Sequence, residues 1–176
     1  MPINVNEVQT TGGRPFLAKA VRSLRIVNVE KKVSSNKNDM LAMEYEICAP
    51  ESEKSADGST VKVAGLGFRD FITFHGKNNI PLEQLKALVG ACKANPMVDL
   101  DNPAFLRENF LGKGIRAEVR TEPKTLTQID ESTGAPAPVL DDNGNPVVDN
   151  NYRLGRVIGS DDRYTVPASS LAQANY

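Results

Sequence analysis

The chain has 176 residues, enough for one domain with its own core. Apolar residues make up 40% and charged residues 24%, which fits an ordinary globular protein. Lys and Arg number 21 against 22 Asp and Glu, so the net charge of -1 excludes a uniformly basic surface. Any route to nucleic acid must then be a local basic groove on a neutral body.

Residues 1–15 are polar and glycine-containing, and read as a flexible N-terminal arm with no basic n-region and no apolar h-region. From Phe16 to about Val33 the chain is rich in β-branched residues, but its apolar parity shifts between Leu24 and Val27. A long first strand with a bulge accounts for the shift; a helix is the alternative. "SSNKND" at 34–39 is turn chemistry. The second strand follows, with Leu41, Met43, Tyr45 and Ile47 on one face and Glu44 and Glu46 on the other. The Asp57-Gly58 turn predicts a hairpin into "VKVAGLGFRDFITF", where Gly65 and Gly67 suggest a bulge or tight bend. Pro81, Leu82, Leu85, Leu88, Val89 and Cys92 have helical spacing, ended by Asn95-Pro96. The connector from 96 to 110 has room for a second helical turn.

"GKGIRAEVRTE" then alternates Ile115, Ala117 and Val119 with Arg116, Glu118 and Arg120, a half-buried strand with arginines on its open side. The turn-rich insertion 124–150 reads as an extended hairpin or a mobile loop, "YRLGRVIGS" as a last strand, and 161–176 as a tail with little fixed structure. Five strands, with one helix between the third and fourth and a long loop between the fourth and fifth, give the order of an OB-fold-like barrel spanning 16–160. A sandwich and a helix-on-sheet α+β fold share that order. Cys48 and Cys92 lie in apolar surroundings and read as free thiols of a cytoplasmic protein. No stretch approaches the ~20 apolar residues of a membrane span.

Motifs for catalysis and cofactors do not emerge. His75 lacks ligand-spaced partners for a metal, and "GLGFRD" has only two of the three dinucleotide-fingerprint glycines. "DDNGNPVVDNNY" puts Pro146 and Tyr152 where a calcium loop needs Gly and Glu. The expectation is a non-enzyme without cofactor. Sequence-independent binding of single strands needs cations along a groove and flat aromatic faces. The candidates are Tyr45, Lys62, Arg69, Phe71, Lys113, Arg116, Arg120, Lys124, Tyr152 and Arg153. Phe68 and Phe71 have opposite parity on a regular strand, so one of them belongs to the core. Glu118 and Glu122, set between Arg116 and Arg120, support the plainer reading of a solvated, self-neutralised face.

"FLAKAVRSLRIVNVEKKVSSNKNDMLAMEYEI", "DGSTVKVAGLGF", a leucine-rich helix and "LGKGIRAEVRTE" together resemble small phage-encoded OB-fold proteins of the single-stranded-DNA-binding type. Met40 to Ile47 and Leu111 to Glu122 carry the pattern most clearly. The resemblance implies single-stranded DNA as partner, in phage replication or recombination, with self-association as a further contact. Such binders commonly end in an acidic tail, whereas this chain ends "SSLAQANY". The competing expectation is a virion decoration or scaffold-associated β-domain acting through arm, insertion and tail.

Overall fold

The computed structural model describes residues 14–76 and 79–171. Expectations about residues 1–13 of the arm and 172–176 of the tail lie outside the described residues.

Strand β1 (Ala20–Val33) runs antiparallel to β2 (Asp39–Ala49). Its register breaks between Ile26 and Asn28, so Val27 is the extra residue that turns Leu24, Ile26 and then Val29 inward. The parity shift in the sequence is thus a bulge, and the helical alternative falls. On β2, Leu41, Met43, Tyr45 and Ile47 are all buried, as the alternation requires. The Asp57-Gly58 turn closes a small hairpin of β3 (Ser52–Lys54) and β4 (Thr60–Lys62). Asp57 holds it by accepting from the Ser59 backbone N–H at 2.9 Å, and Gly58 takes the left-handed φ of 84° that the turn needs. Strand β5 (Gly67–Thr73) pairs with β2.

Helices α1 (Ile80–Cys92) and α2 (Pro103–Phe110) fill the connection between β5 and the next strand, the second of them in the connector that had room for a helical turn. Asn102 caps α2 by accepting from the Phe105 N–H. Strand β6 (Gly114–Thr125) buries Ile115, Ala117 and Val119 and exposes Arg116 and Arg120. The insertion is an ordered hairpin extension, with β7 (Thr127–Ile129) paired to β8 (Pro136–Pro138) before β9 (Val148–Ser160) returns along β6.

The main sheet has the order β5-β2-β1-β6-β9, with every neighbouring pair antiparallel. Strand order left open whether the OB-fold-like barrel closes, and among the described residues it does not: no ladder joins the edge strands β5 and β9. One carboxylate spans the gap instead. Asp70 on β5 accepts from the Arg153 guanidinium at 3.0 Å and from the Leu154 backbone N–H at 2.8 Å, both on β9. The core lies between the sheet and the helices, around Leu24, Ile26, Met43, Leu88, Phe110 and Ile115. No helix among the described residues is long and apolar enough to cross a membrane.

Residues 161–171, expected to be loose, are packed onto the start of β6. Gly112 and Gly114 backbone oxygens accept from the Val166 and Asp161 N–H groups at 2.9 and 2.8 Å. A Cβ on Gly114 would stand 2.1 Å from the Asp161 carbonyl oxygen, so the Gly-Lys-Gly turn is bare because another segment lies against it. Arg22 on β1 is a structural cation. Its side chain is 1% exposed, forks onto Glu53 of the β3–β4 hairpin, and donates to the Val119 and Ala18 carbonyls at 2.9 Å. This charged tie pins the hairpin to the sheet and offers nothing to a ligand. Cys48 and Cys92 are both free, and burial pushes the Cys92 thiol up to about 12, which keeps it protonated and unreactive.

Candidate nucleic-acid interface

The unclosed seam between β5 and β9 is where side chains of the right chemistry meet. Residues 120, 122 and 124 of β6 share one face, and so do 149, 151 and 153 of β9, because strand side chains alternate. The register sets them opposite one another as Arg120 with Arg153, Glu122 with Asn151, and Lys124 with Asp149. Like charges directly opposite would repel. Glu122 resolves this by accepting from both arginines at 3.0 Å, and they hold its carboxyl below the usual range, Arg120 foremost.

Across the seam, β5 presents Arg69 and Phe71 on the face opposite to its buried Phe68 and Ile72. Arg69 donates through Nε to Glu44 on β2 at 2.9 Å. A groove of about 600 Å³ runs between these walls, lined among others by Arg69, Phe71, Lys124, Asp149, Asn151 and Arg153. It shares Phe71, Glu122 and Arg153 with a cleft of about 500 Å³ that continues beneath α1, where Arg120, Arg156, Gln84 and Leu88 join the lining. Lys124 and Arg156 form no ion pair among the described residues, whereas Arg120 and Arg153 are each held by a carboxylate.

Of the ten residues expected in a binding site, Arg69, Phe71, Arg120, Lys124 and Arg153 therefore line one continuous depression with open side chains. Two aromatics are corrected. Tyr45 is 2% exposed, its ring stacked on Phe68 at 5.2 Å, so it is core. Tyr152 borders the groove but is equally buried. Phe68 meets one side edge-on at 6.2 Å, the Arg14 guanidinium lies over the ring at 5.5 Å, and its hydroxyl donates to the Pro15 carbonyl at 2.7 Å. The strap of Arg14 and Pro15, read from sequence as part of a loose arm, occupies the face a base would need. Barrel-type sheets need large inward side chains, and inward parity claimed both tyrosines.

Three cations stand elsewhere. Lys62 is on the β3–β4 hairpin, Lys113 in the turn before β6, and Arg116 on β6 opposite Gly159, so none of them lines the groove or the cleft. Asp149, at the end of the 124–150 insertion, and Asn151, just after it, also line the groove and were not among the ten. Their odd-numbered alternation with Arg153 in "DNNYR" was the signal that places them on the same face. Comparison with known protein families and with curated proteins finds no match for this chain.

Proposed function

We propose that the protein binds single-stranded DNA along the β5/β9 seam, independently of overall sequence, and that its sheet is an OB-type barrel left open on that side. The carrying observation is the convergence of Arg69, Phe71, Arg120, Lys124 and Arg153 on one groove from three separate strands. The strand order β5-β2-β1-β6-β9, with helices between β5 and β6, supports the OB assignment, since that is the order of the fold. In such folds single strands lie across the sheet between loops, and the ordered 124–150 hairpin forms one wall here. Phosphates are held by Lys124 and Arg156 directly, and by Arg120 and Arg153 in exchange for Glu122. Phe71, 40% exposed, is the stacking surface. The role is one of coating rather than catalysis, as the resemblance to phage replication and recombination proteins implies.

The test is fluorescence anisotropy with a labelled ~30-nucleotide single strand at low and moderate salt. Binding that weakens steeply with salt, prefers single strand to duplex, and falls by roughly 5- to 100-fold in Phe71→Ala supports the proposal. Absence of binding at low salt refutes it. The second reading, contact between subunits of an assembly, rests on the exposed Ile129, Leu140 and Val148 of the hairpin extension. Sedimentation of the full chain tests it, a monomer at all concentrations counting against it.

A further inference from the structure

The groove contains two side chains with polar atoms that have no partner among the described residues. Asp149 and Asn151 are two residues apart on β9, on the face that also carries Arg153, and both line the groove. Asp149 stands opposite Lys124 across the ladder yet makes no ion pair with it. Its Oδ1 is buried with no hydrogen-bond partner. A buried acceptor without a donor is costly, so folding here holds one oxygen of a half-buried carboxylate desolvated at a groove wall. Because χ2 of an aspartate is a broad torsion, the carboxylate plane can turn about its Cβ–Cγ bond at little cost to meet a donor entering the groove. Asn151 likewise has no side-chain hydrogen bond among the described residues, and its amide brings two N–H donors beside the carboxylate.

We propose that Asp149 and Asn151 form a guanine-selecting subsite within the single-strand groove. The inference rests on the function proposed above and adds a local base preference to it. The argument is one of complementarity. An ionised carboxylate accepts only, and it is best matched by two adjacent donors. Guanine alone among the DNA bases has them on its Watson–Crick edge, at N1–H and the N2 amino group, with the O6 acceptor next in line for the Asn151 amide. Adenine and cytosine each place a ring-nitrogen acceptor beside their single amino donor, which would face the carboxylate with repulsion. Thymine offers one N–H between two carbonyls. Single strands present these edges freely, since their bases are not paired. Phe71, across the same groove, supplies the ring on which such a base stacks. Lys124, opposite Asp149, is placed for the adjoining phosphate.

The experiment compares thymine oligonucleotides of roughly eight residues, each with one central guanine, inosine, adenine or thymine, binding to the full chain. Inosine is guanine without the N2 amino group, so the comparison alters one donor and leaves the protein untouched. The expected result is about tenfold tighter binding of the guanine strand than of the all-thymine strand, with inosine between them. Asp149→Asn is expected to bring the guanine strand down to the affinity of the all-thymine strand, with inosine no longer distinguished from either. Equal binding of the four strands by the unaltered protein overturns the subsite and leaves the groove reading standing. So does a guanine preference that survives in Asp149→Asn. Failure to bind any strand overturns both.

Discussion

Asp70 is the residue that ties the two edge strands of the open sheet, and its removal has a size that can be worked out. Its carboxylate accepts from Arg153 at 3.0 Å and from the Leu154 N–H at 2.8 Å across the seam, and from its own neighbour Phe71 N–H at 2.8 Å. The side chain is 14% exposed, so water replaces little of this when it is lost. A hydrogen bond to a charged group contributes about 1.5–3 kcal/mol. Arg153 keeps Glu122 as a partner, so the arginine is not left bare, and the lower end of the range applies to each cross-seam bond. Asp70→Ala should then destabilise the protein by about 3 kcal/mol, the sum of two such bonds. For a chain of this size that is a fall in Tm of roughly 6–12 °C. Asp70→Asn retains an oxygen for the Leu154 N–H but loses the charge, and should fall about half as far. Thermal melts of the three proteins by circular dichroism decide the matter. If Asp70→Ala melts within about 2 °C of the parent, the seam is held by α1 and the core alone, and the clasp is ornamental.

Asp161 supplies a pH dependence. Its carboxyl is drawn down to about 2, first by the Arg163 guanidinium and then by the Ser23 hydroxyl, against the resistance of burial. A folded-state value below the unfolded one gives stability that is complete above about pH 4 and is lost as pH falls toward about 2. Asp161→Asn should therefore melt lower than the parent at neutral pH, with the gap closing between about pH 4 and 2; a gap constant across that window would refute the linkage. Glu122→Gln should leave the melting point almost unchanged, since exposed ion pairs contribute about 0–1 kcal/mol. It should nonetheless tighten single-strand binding several-fold and steepen its salt dependence, because Arg120 and Arg153 lose their resident anion. Weaker binding in that variant would show that Glu122 orders the arginines rather than competes for them.

Strand alternation was legible wherever one face was buried and the other wet. Leu41 to Ile47 and Ile115 to Val119 can be placed on their faces from the sequence, and the parity slip between Leu24 and Val27 pointed to a bulge or a helix, of which the bulge is found. What stayed illegible was set by contacts between distant segments. Nothing local in "FRDFITF" says that Asp70 will reach Leu154, or that this reach replaces a ladder. The glycines at 112 and 114 read as a turn, yet their bareness is explained by Val166 and Asp161, some fifty residues on. The aromatics show the limit most plainly. Parity separated Phe68 from Phe71, but Tyr45 and Tyr152 have the composition of stacking residues and the position of core residues. Only the packing of Phe68 between them decides it.

The same packing explains how a groove can share residues with the device that closes the sheet. Arg153 carries two carboxylates, Asp70 on the seam side and Glu122 on the ribbon side, from different nitrogens of its guanidinium. The two contacts differ in kind. Asp70 is largely shielded and also fixes the β9 backbone at Leu154, whereas Glu122 is open to water and fixes only side chains. On the function proposed above, a phosphate entering the groove would meet the screened, weakly held contact first and exchange with it at little cost, while the shielded one stays made. The proposed phosphate contact and the strand tie at Arg153 would thus be separable, because the fork geometry of arginine gives each its own nitrogen. A lysine at this position would have one point charge for both tasks, and binding a phosphate would then draw directly on the bond that holds β9 to β5.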